Sequence, residues 1–132
     1  MISFSEILSV SWQCVHFALP EQISAVQTKL TNSSIATFEF DASSIKNDEV
    51  LFSAISKSLE FPDYFGGNWD AINECLSDME WNEAEGYVLF VTNASELWRD
   101  AAYTAGKLVS TWQFVAEQWS QEDIPFHLVF VL

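Results

Sequence analysis

Basic residues are scarce in this chain: 5 Lys and Arg stand against 19 Asp and Glu, for a formal net charge of −14. Because nucleic-acid binding depends on Lys and Arg meeting phosphates, this balance argues against a direct nucleic-acid ligand and against an anionic membrane surface. No apolar run approaches the ~18 residues of a membrane span. Residues 1–6 lack the basic segment and long apolar run of a signal peptide. We expect a cytoplasmic protein.

Cysteine and histidine are also rare. Cys14 and Cys75 are far apart in a chain rich in core residues, so we expect buried, reduced thiols and no disulfide scaffold. His16 and His127 stand alone, which gives no support to a zinc site. No acids alternate around a glycine as they do in a calcium loop. We therefore expect neither a metal nor a cofactor.

Apolar residues are plentiful, at 49% of the 132 residues, which excludes disorder and fits one domain over residues 1–132. Apolar and β-branched runs predict strands at 12–19, 35–40, 87–91 and 126–132. Helical spacing predicts helices at 20–30, 48–59, 68–79, 95–105 and 107–119. Strands separated by helices indicate an α/β fold with a largely parallel sheet. We expect Trp12, Val15 and Phe17 to be structural.

The acidic residues are concentrated in one interval. Between Lys57 and Arg99 there is no basic residue, and nine acidic ones occur there: Glu60, Asp63, Asp70, Glu74, Asp78, Glu80, Glu83, Glu85 and Glu96. A surface this one-sided repels itself, so it serves either solubility alone or a strongly basic partner.

The predicted helix at 68–79 places Asp70, Glu74 and Asp78 four residues apart on one face, with Asn73 and Ser77 beside them. Like charges at this spacing weaken an isolated helix by a few tenths of a kcal/mol per pair. An ordinary solvated face is one interpretation, since the helix dipole favours an anion in the first turn. A binding face is the other.

Three features favour the binding face. Tyr64 and Phe65 precede the helix, where loop aromatics can anchor a contact. Gly66 and Gly67 let the backbone approach a partner closely. The acidic run continues beyond the helix without a basic residue.

The segment Phe61-Pro62-Asp63-Tyr64-Phe65-Gly66-Gly67-Asn68-Trp69-Asp70, continuing to residue 76, resembles the signature of the barstar family. These proteins are intracellular inhibitors of secreted bacterial ribonucleases. In that family a Pro-acid-Tyr-aromatic-Gly-x-Asn-x-Asp turn opens a helix that plugs the ribonuclease active site. The resemblance covers about three quarters of the chain. It implies a parallel three-stranded sheet packed with helices, in two or three layers, over a family core at 35–132. Residues 1–34 are then a strand-helix extension that adds a fourth edge strand or a lid.

By this resemblance Tyr64 matches the loop tyrosine and Asp70 the first inhibitory aspartate. Glu74 stands where the type member has an aspartate and Asn73 where it has a tryptophan. These two departures bear on whether the target is the same enzyme. Glu117 matches a peripheral acidic contact. Pattern and resemblance together give the predicted partner-binding set: Tyr64, Phe65, Gly67, Asp70, Asn73, Glu74, Ser77, Asp78 and Glu117.

The resemblance implies an immunity protein, or antitoxin, that binds a basic ribonuclease toxin and has no enzymatic activity of its own. The sequence does not determine the oligomeric state, and we expect a monomer before binding. Acid–base catalysis by Asp70 and Glu74 fits the carboxylate spacing of glycosidases, but an open acidic face lacks the apolar pocket that raises one pKa. An anion site at Gly66-Gly67 is opposed by Asp63 and Asp70. The alternative function is a nucleic-acid mimic directed at a basic nucleic-acid-binding protein that is not a ribonuclease. Only the motif at 64–74 separates the two.

Overall fold

The structure is a computed structural model that describes residues 2–10 and 12–132. Within these residues the strands are β1 (Val15–Ala18), β2 (Ile35–Asp41), β3 (Gly86–Thr92) and β4 (Phe126–Val131). The helices are α1 (Phe4–Ile7), α2 (Pro20–Thr31), α3 (Asp48–Ser58), α4 (Trp69–Asp78), α5 (Ala94–Asp100) and α6 (Ala102–Ser120). A short 3-10 turn, Glu80–Asn82, follows α4.

The four strands form one sheet in the order β1-β4-β3-β2, and every neighbouring pair is parallel. In the register, Leu89 of β3 lies between Phe38 of β2 and Leu128 of β4. The two central strands are buried along almost their whole length, as continuous apolar runs predict. The predicted parallel α/β sheet is confirmed, and the N-terminal segment adds its fourth strand at the edge next to β4.

Helices cover both faces of the sheet, so the fold has three layers. Leu89 and Val91 point into the larger core, which α3, α4, α5 and α6 complete. Val88 and Phe90 point the opposite way, into a smaller core closed by α1 and α2. This alternation follows from the two-residue period of a strand. The acidic helix α4 therefore rests on the larger core and has its outer side free.

The first strand is shorter than the predicted segment at 12–19. The backbone turns before it, because the N–H of Cys14 donates to the carbonyl of Trp12 at 3.0 Å, and pairing with β4 starts only at Val15. The expected structural role is wrong for Trp12, whose side chain is 85% exposed. Phe17 is partly exposed but stacks on Phe130 with ring centroids 5.2 Å apart.

The last two helices divide at a different place from the predicted one. The break falls at Ala101 (φ −145°, ψ 51°), and Gly106 lies inside α6. A glycine within a helix costs about 1 kcal/mol, but the burial of Ala105 and Leu108 on either side of it outweighs that cost. None of the helices in the described part of the chain combines the length and apolar composition that a membrane crossing requires.

The two histidines are paired on the sheet face that α1 and α2 cover. Nε2 of His127 lies 2.7 Å from the carbonyl oxygen of Ser9 and donates to it. Its Nδ1 therefore accepts from Nε2 of His16, at 2.8 Å. Burial is the main cause that lowers the pKa of His127 to about 4, and burial also lowers the pKa of His16. The pair ties the N-terminal segment to β4 while His127 is neutral.

We expect this pair to make stability depend on pH. Because the pKa of His127 is lower in the folded chain than its ordinary value of 6.5, the unfolded chain takes up the proton first as pH falls. The stabilisation is complete above that value and declines as pH falls toward 4, by up to about 3 kcal/mol in total. The measurement is an NMR titration of the imidazole C2 protons, of which the chain has two. His16→Asn assigns the signals, and a His127 midpoint near 6.5 would contradict the prediction.

Candidate functional site

Helix α4 begins at a well-formed N-cap. The Asn68 side chain accepts a hydrogen bond from the backbone N–H of Ala71 at 2.8 Å, which satisfies a donor that every helix start leaves unpaired. Gly67 has φ +69°, a left-handed conformation that glycine adopts without steric cost. The predicted cap is confirmed, and Asp70 lies in the first helical turn.

The helix has one buried and one exposed face, as its spacing predicts. Ile72 and Leu76 are fully buried, whereas Asp70 and Glu74 are exposed. Four residues of helix rise by about 6 Å, so these two carboxylates stand one above the other on the outer face. Cys75 lies on the buried face, where burial and the nearby carboxylates of Asp78 and Glu74 raise the pKa of its thiol, which therefore stays neutral.

Trp69 fixes the first turn of α4 from the inner side. Its indole N–H donates to Oδ2 of Asp48 at 3.0 Å, and its ring packs edge-on against Phe52 with centroids 5.1 Å apart. Asp48 also accepts a hydrogen bond from the hydroxyl of Thr104 on α6, at 2.6 Å. The start of the acidic helix is thus attached to both α3 and α6.

The loop before α4 presents its two predicted aromatic residues differently. Tyr64 is 58% exposed, as a contact residue should be. Phe65 is half-buried and packs edge-on against Phe61 and Phe52, with centroids 5.2 and 6.5 Å apart. Phe65 therefore holds the loop on the core, and Tyr64 is the exposed aromatic residue of the loop.

Tyr64 also connects the loop to the end of α4. Its hydroxyl donates to Oδ2 of Asp78 at 2.5 Å, and its ring lies edge-on to Trp81 at 6.5 Å between centroids. This hydrogen bond is the main cause that raises the pKa of the Tyr64 phenol to about 12. Asp78 thus differs from the other two acids of its predicted face, because it holds the loop through Tyr64.

We expect Tyr64→Phe to loosen the loop without unfolding the domain. Loss of the bond to Asp78 should speed amide hydrogen exchange at residues 63–67 by about fivefold, since local opening governs exchange in exposed segments. Because the Tyr64 pKa is about 12, the difference between the proteins should be constant from neutral pH up to about pH 10. Hydrogen–deuterium exchange by NMR measures it, with Tyr103→Phe as the matched control. Equal exchange in both variants would show that the loop does not depend on this bond.

Helix α6 lies beside α4 and holds its second half. The Ser77 hydroxyl donates to Oε1 of Gln118 at 3.1 Å and is 3.4 Å from Oδ1 of Asn73. The Trp119 indole N–H donates to the carbonyl of Leu76 at 2.9 Å. Glu117, next to these residues, is exposed on α6. Sequence reasoning missed Gln118 and Trp119; the helical pattern of α6 placed them but could not show which helix they face.

The acids on this surface are unpaired. The ion pairs found in residues 2–10 and 12–132 join Lys46 and Arg99 to Asp100, and Arg99 to Glu96. None of them includes Asp70, Glu74 or Glu117. A carboxylate without a cation of its own is available to a cation from outside, and arginine can engage it through two parallel hydrogen bonds.

The geometry can be compared with known proteins. The family model described as "Barstar (barnase inhibitor)" matches residues 35–131, which include the loop, α4 and α6. A search of curated proteins gives no match to the chain. The matched range is well over half of the 132 residues. The chain therefore belongs to the barstar family of ribonuclease inhibitors.

Proposed function

We propose that this chain is a cytoplasmic immunity protein that inhibits a basic bacterial ribonuclease toxin by inserting α4 and the preceding loop into its active site. One observation carries the proposal: Asp70 and Glu74 are exposed, unpaired and one helical turn apart on a helix anchored at both ends. Family membership supplies the class of target.

The two carboxylates resemble what a ribonuclease cleft binds. An enzyme that cleaves RNA presents cationic side chains to the phosphates of its substrate. Asp70 and Glu74 take the place of two such phosphates, and their oxygens accept bidentate hydrogen bonds from arginine. Since the site is already ordered by its own tethers, little conformational entropy is lost on binding.

The other acidic residues attract the ribonuclease before the two proteins touch. A net charge of −14 attracts a cationic enzyme over distances of about the Debye length and raises the association rate more than the final affinity. The barnase–barstar complex is itself the reference case for such steering. Glu83 and Glu85, exposed beyond the end of α4, belong to this group.

The experiment is a capture assay with matched double variants. Tagged protein is incubated with barnase and, separately, with a lysate that expresses the neighbouring reading frame, and retained and free ribonuclease activities are measured. Asp70→Ala/Glu74→Ala and Glu83→Ala/Glu85→Ala each remove two charges from the same basic-free interval. We expect the first pair to release the ribonuclease and the second to retain it.

Two results would overturn this proposal. If the unaltered protein neither inhibits barnase nor retains a ribonuclease from the lysate, the target class is wrong. If both double variants weaken capture equally, binding follows total charge, as expected of a nucleic-acid mimic and not of an inhibitor that plugs an active site.

A further inference from the structure

A groove separates the segment before β1 from helix α6, and its most prominent side chain is exposed. Val10, Trp12 and Cys14 form one wall, and Ala116, Glu117 and Ser120 are on the other. The volume of the groove is about 440 Å³. Trp12 is 85% exposed, so its indole face is open to a partner.

The charges around the groove are of one sign. Glu117 lines it, and Glu6 lines the adjoining hollow on the other side of Trp12. None of the five Lys and Arg residues lines either hollow. A second copy of this chain is a poor occupant, because two molecules of charge −14 repel each other. An indole face beside a carboxylate suits a cationic side chain with an apolar stem.

The groove and the acidic surface of α4 lie on opposite flanks of α6. Gln118 is bonded to Ser77 of α4, and the adjacent Glu117 lines the groove on the other flank of α6. A helix is about 10 Å wide, so a partner seated on α4 has to extend by about that distance across α6 to touch Trp12. A standard interface of about 800 Å² per partner covers both surfaces.

We propose that this groove receives an arginine side chain from the rim of the ribonuclease bound at α4. The guanidinium stacks on the Trp12 indole and pairs with Glu117, and the aliphatic stem lies against Val10 and Ala116. The inference rests on the proposed function. It assigns to the N-terminal segment, which lies outside the family match at 35–131, a part in selecting which ribonuclease is bound.

The test is the dissociation rate of the complex, measured by surface plasmon resonance with barnase and with the ribonuclease retained from the lysate as probes. Trp12→Ala and Trp12→Leu should each speed dissociation about 10-fold, and Trp12→Phe about threefold, because a phenyl ring keeps part of the cation–π attraction. Leu19→Ala, an exposed apolar residue of the same segment away from the groove, should change the rate by less than about twofold.

The outcomes separate this inference from the proposed function. If the Trp12→Ala complex dissociates at the wild-type rate while Asp70→Ala still binds more weakly, the groove proposal is wrong and the proposed function is unaffected. Full rescue by Trp12→Leu would overturn the cationic occupant, because leucine restores apolar contact without a π face. Absence of binding by the wild-type protein would overturn the proposed function. Since Trp12 is exposed, thermal unfolding of each variant should match wild type.

Discussion

Asp70→Ala should weaken ribonuclease binding by at least about 30-fold, or ~2 kcal/mol, the loss typical of a residue at the centre of an interface. The reason is that an arginine in the enzyme's cleft keeps its desolvated charge when its carboxylate partner is removed. Glu74→Ala should weaken ribonuclease binding by a similar factor. The measurement is the inhibition constant in an RNA-cleavage assay, with association and dissociation rates determined separately.

Three further variants make this result specific. Asp70→Asn keeps the shape of the side chain and removes its charge, so it should lose nearly as much as alanine if pairing with arginine is the cause. Glu83→Ala and Glu85→Ala should mainly slow association, since these acids lie beyond α4. Equal small losses at all four acidic positions would contradict insertion into the active site. The folded state should be nearly unaffected, because Asp70 is exposed and its interaction with the helix dipole is worth under about 1 kcal/mol.

Much of the fold could be predicted because it follows from local patterns in the sequence. The apolar runs at 87–91 and 126–132 predicted buried strands, and both lie at the centre of the sheet. The division between α5 and α6 could not be predicted in the same way. Gly106 is a local signal for a helix end, and only the burial of residues on both sides of it overrides that signal. The length of β1 likewise depends on where pairing with β4 begins.

The candidate site likewise has features that local sequence patterns predict and features that depend on contacts between distant residues. The helical periodicity predicted that Asp70 and Glu74 lie on the exposed face, and Asn68 predicted the N-cap of the helix. Both features depend only on residues within one helical turn. The bonds from Tyr64 to Asp78 and from Ser77 to Gln118 join residues 14 and 41 positions apart. No local pattern encodes such pairs. For this reason the sequence grouped Asp78 with the binding acids, whereas in the structure it also holds the loop.

These hydrogen bonds indicate that the outer and inner faces of α4 have different roles. Its outer face carries unpaired charge, which costs stability, and its inner face packs on the larger core through Ile72 and Leu76. Stability must therefore come from elsewhere, above all from helix α6, which contacts both α4 and β4. Changes on the buried face of α6 should affect folding, and changes on the outer face of α4 should affect binding.

Trp112→Ala should be the most destabilising change, with a loss of about 3–5 kcal/mol, because a fully enclosed tryptophan leaves a large cavity. The Trp112 side chain is 1% exposed, stacks on Phe126 with ring centroids 4.4 Å apart, and donates its indole N–H to the carbonyl of Phe126 at 3.2 Å. A domain of this size has a free energy of unfolding of roughly 5–15 kcal/mol, so the loss is a large share of it. Urea denaturation followed by far-UV circular dichroism measures it.

The companion variant is Trp112→Phe, which keeps an aromatic ring against Phe126 but lacks the N–H donor, and it should lose less than alanine. A loss below about 1 kcal/mol for Trp112→Ala would show that α6 does not anchor on the sheet through this residue. Measured per folded molecule, the affinity of Trp112→Ala for the ribonuclease should equal that of wild type, because its carboxylates are unchanged. Asp70→Ala should do the reverse, keeping the free energy of unfolding and losing the affinity. This opposite pair of results is what a charged binding face mounted on an independent core requires.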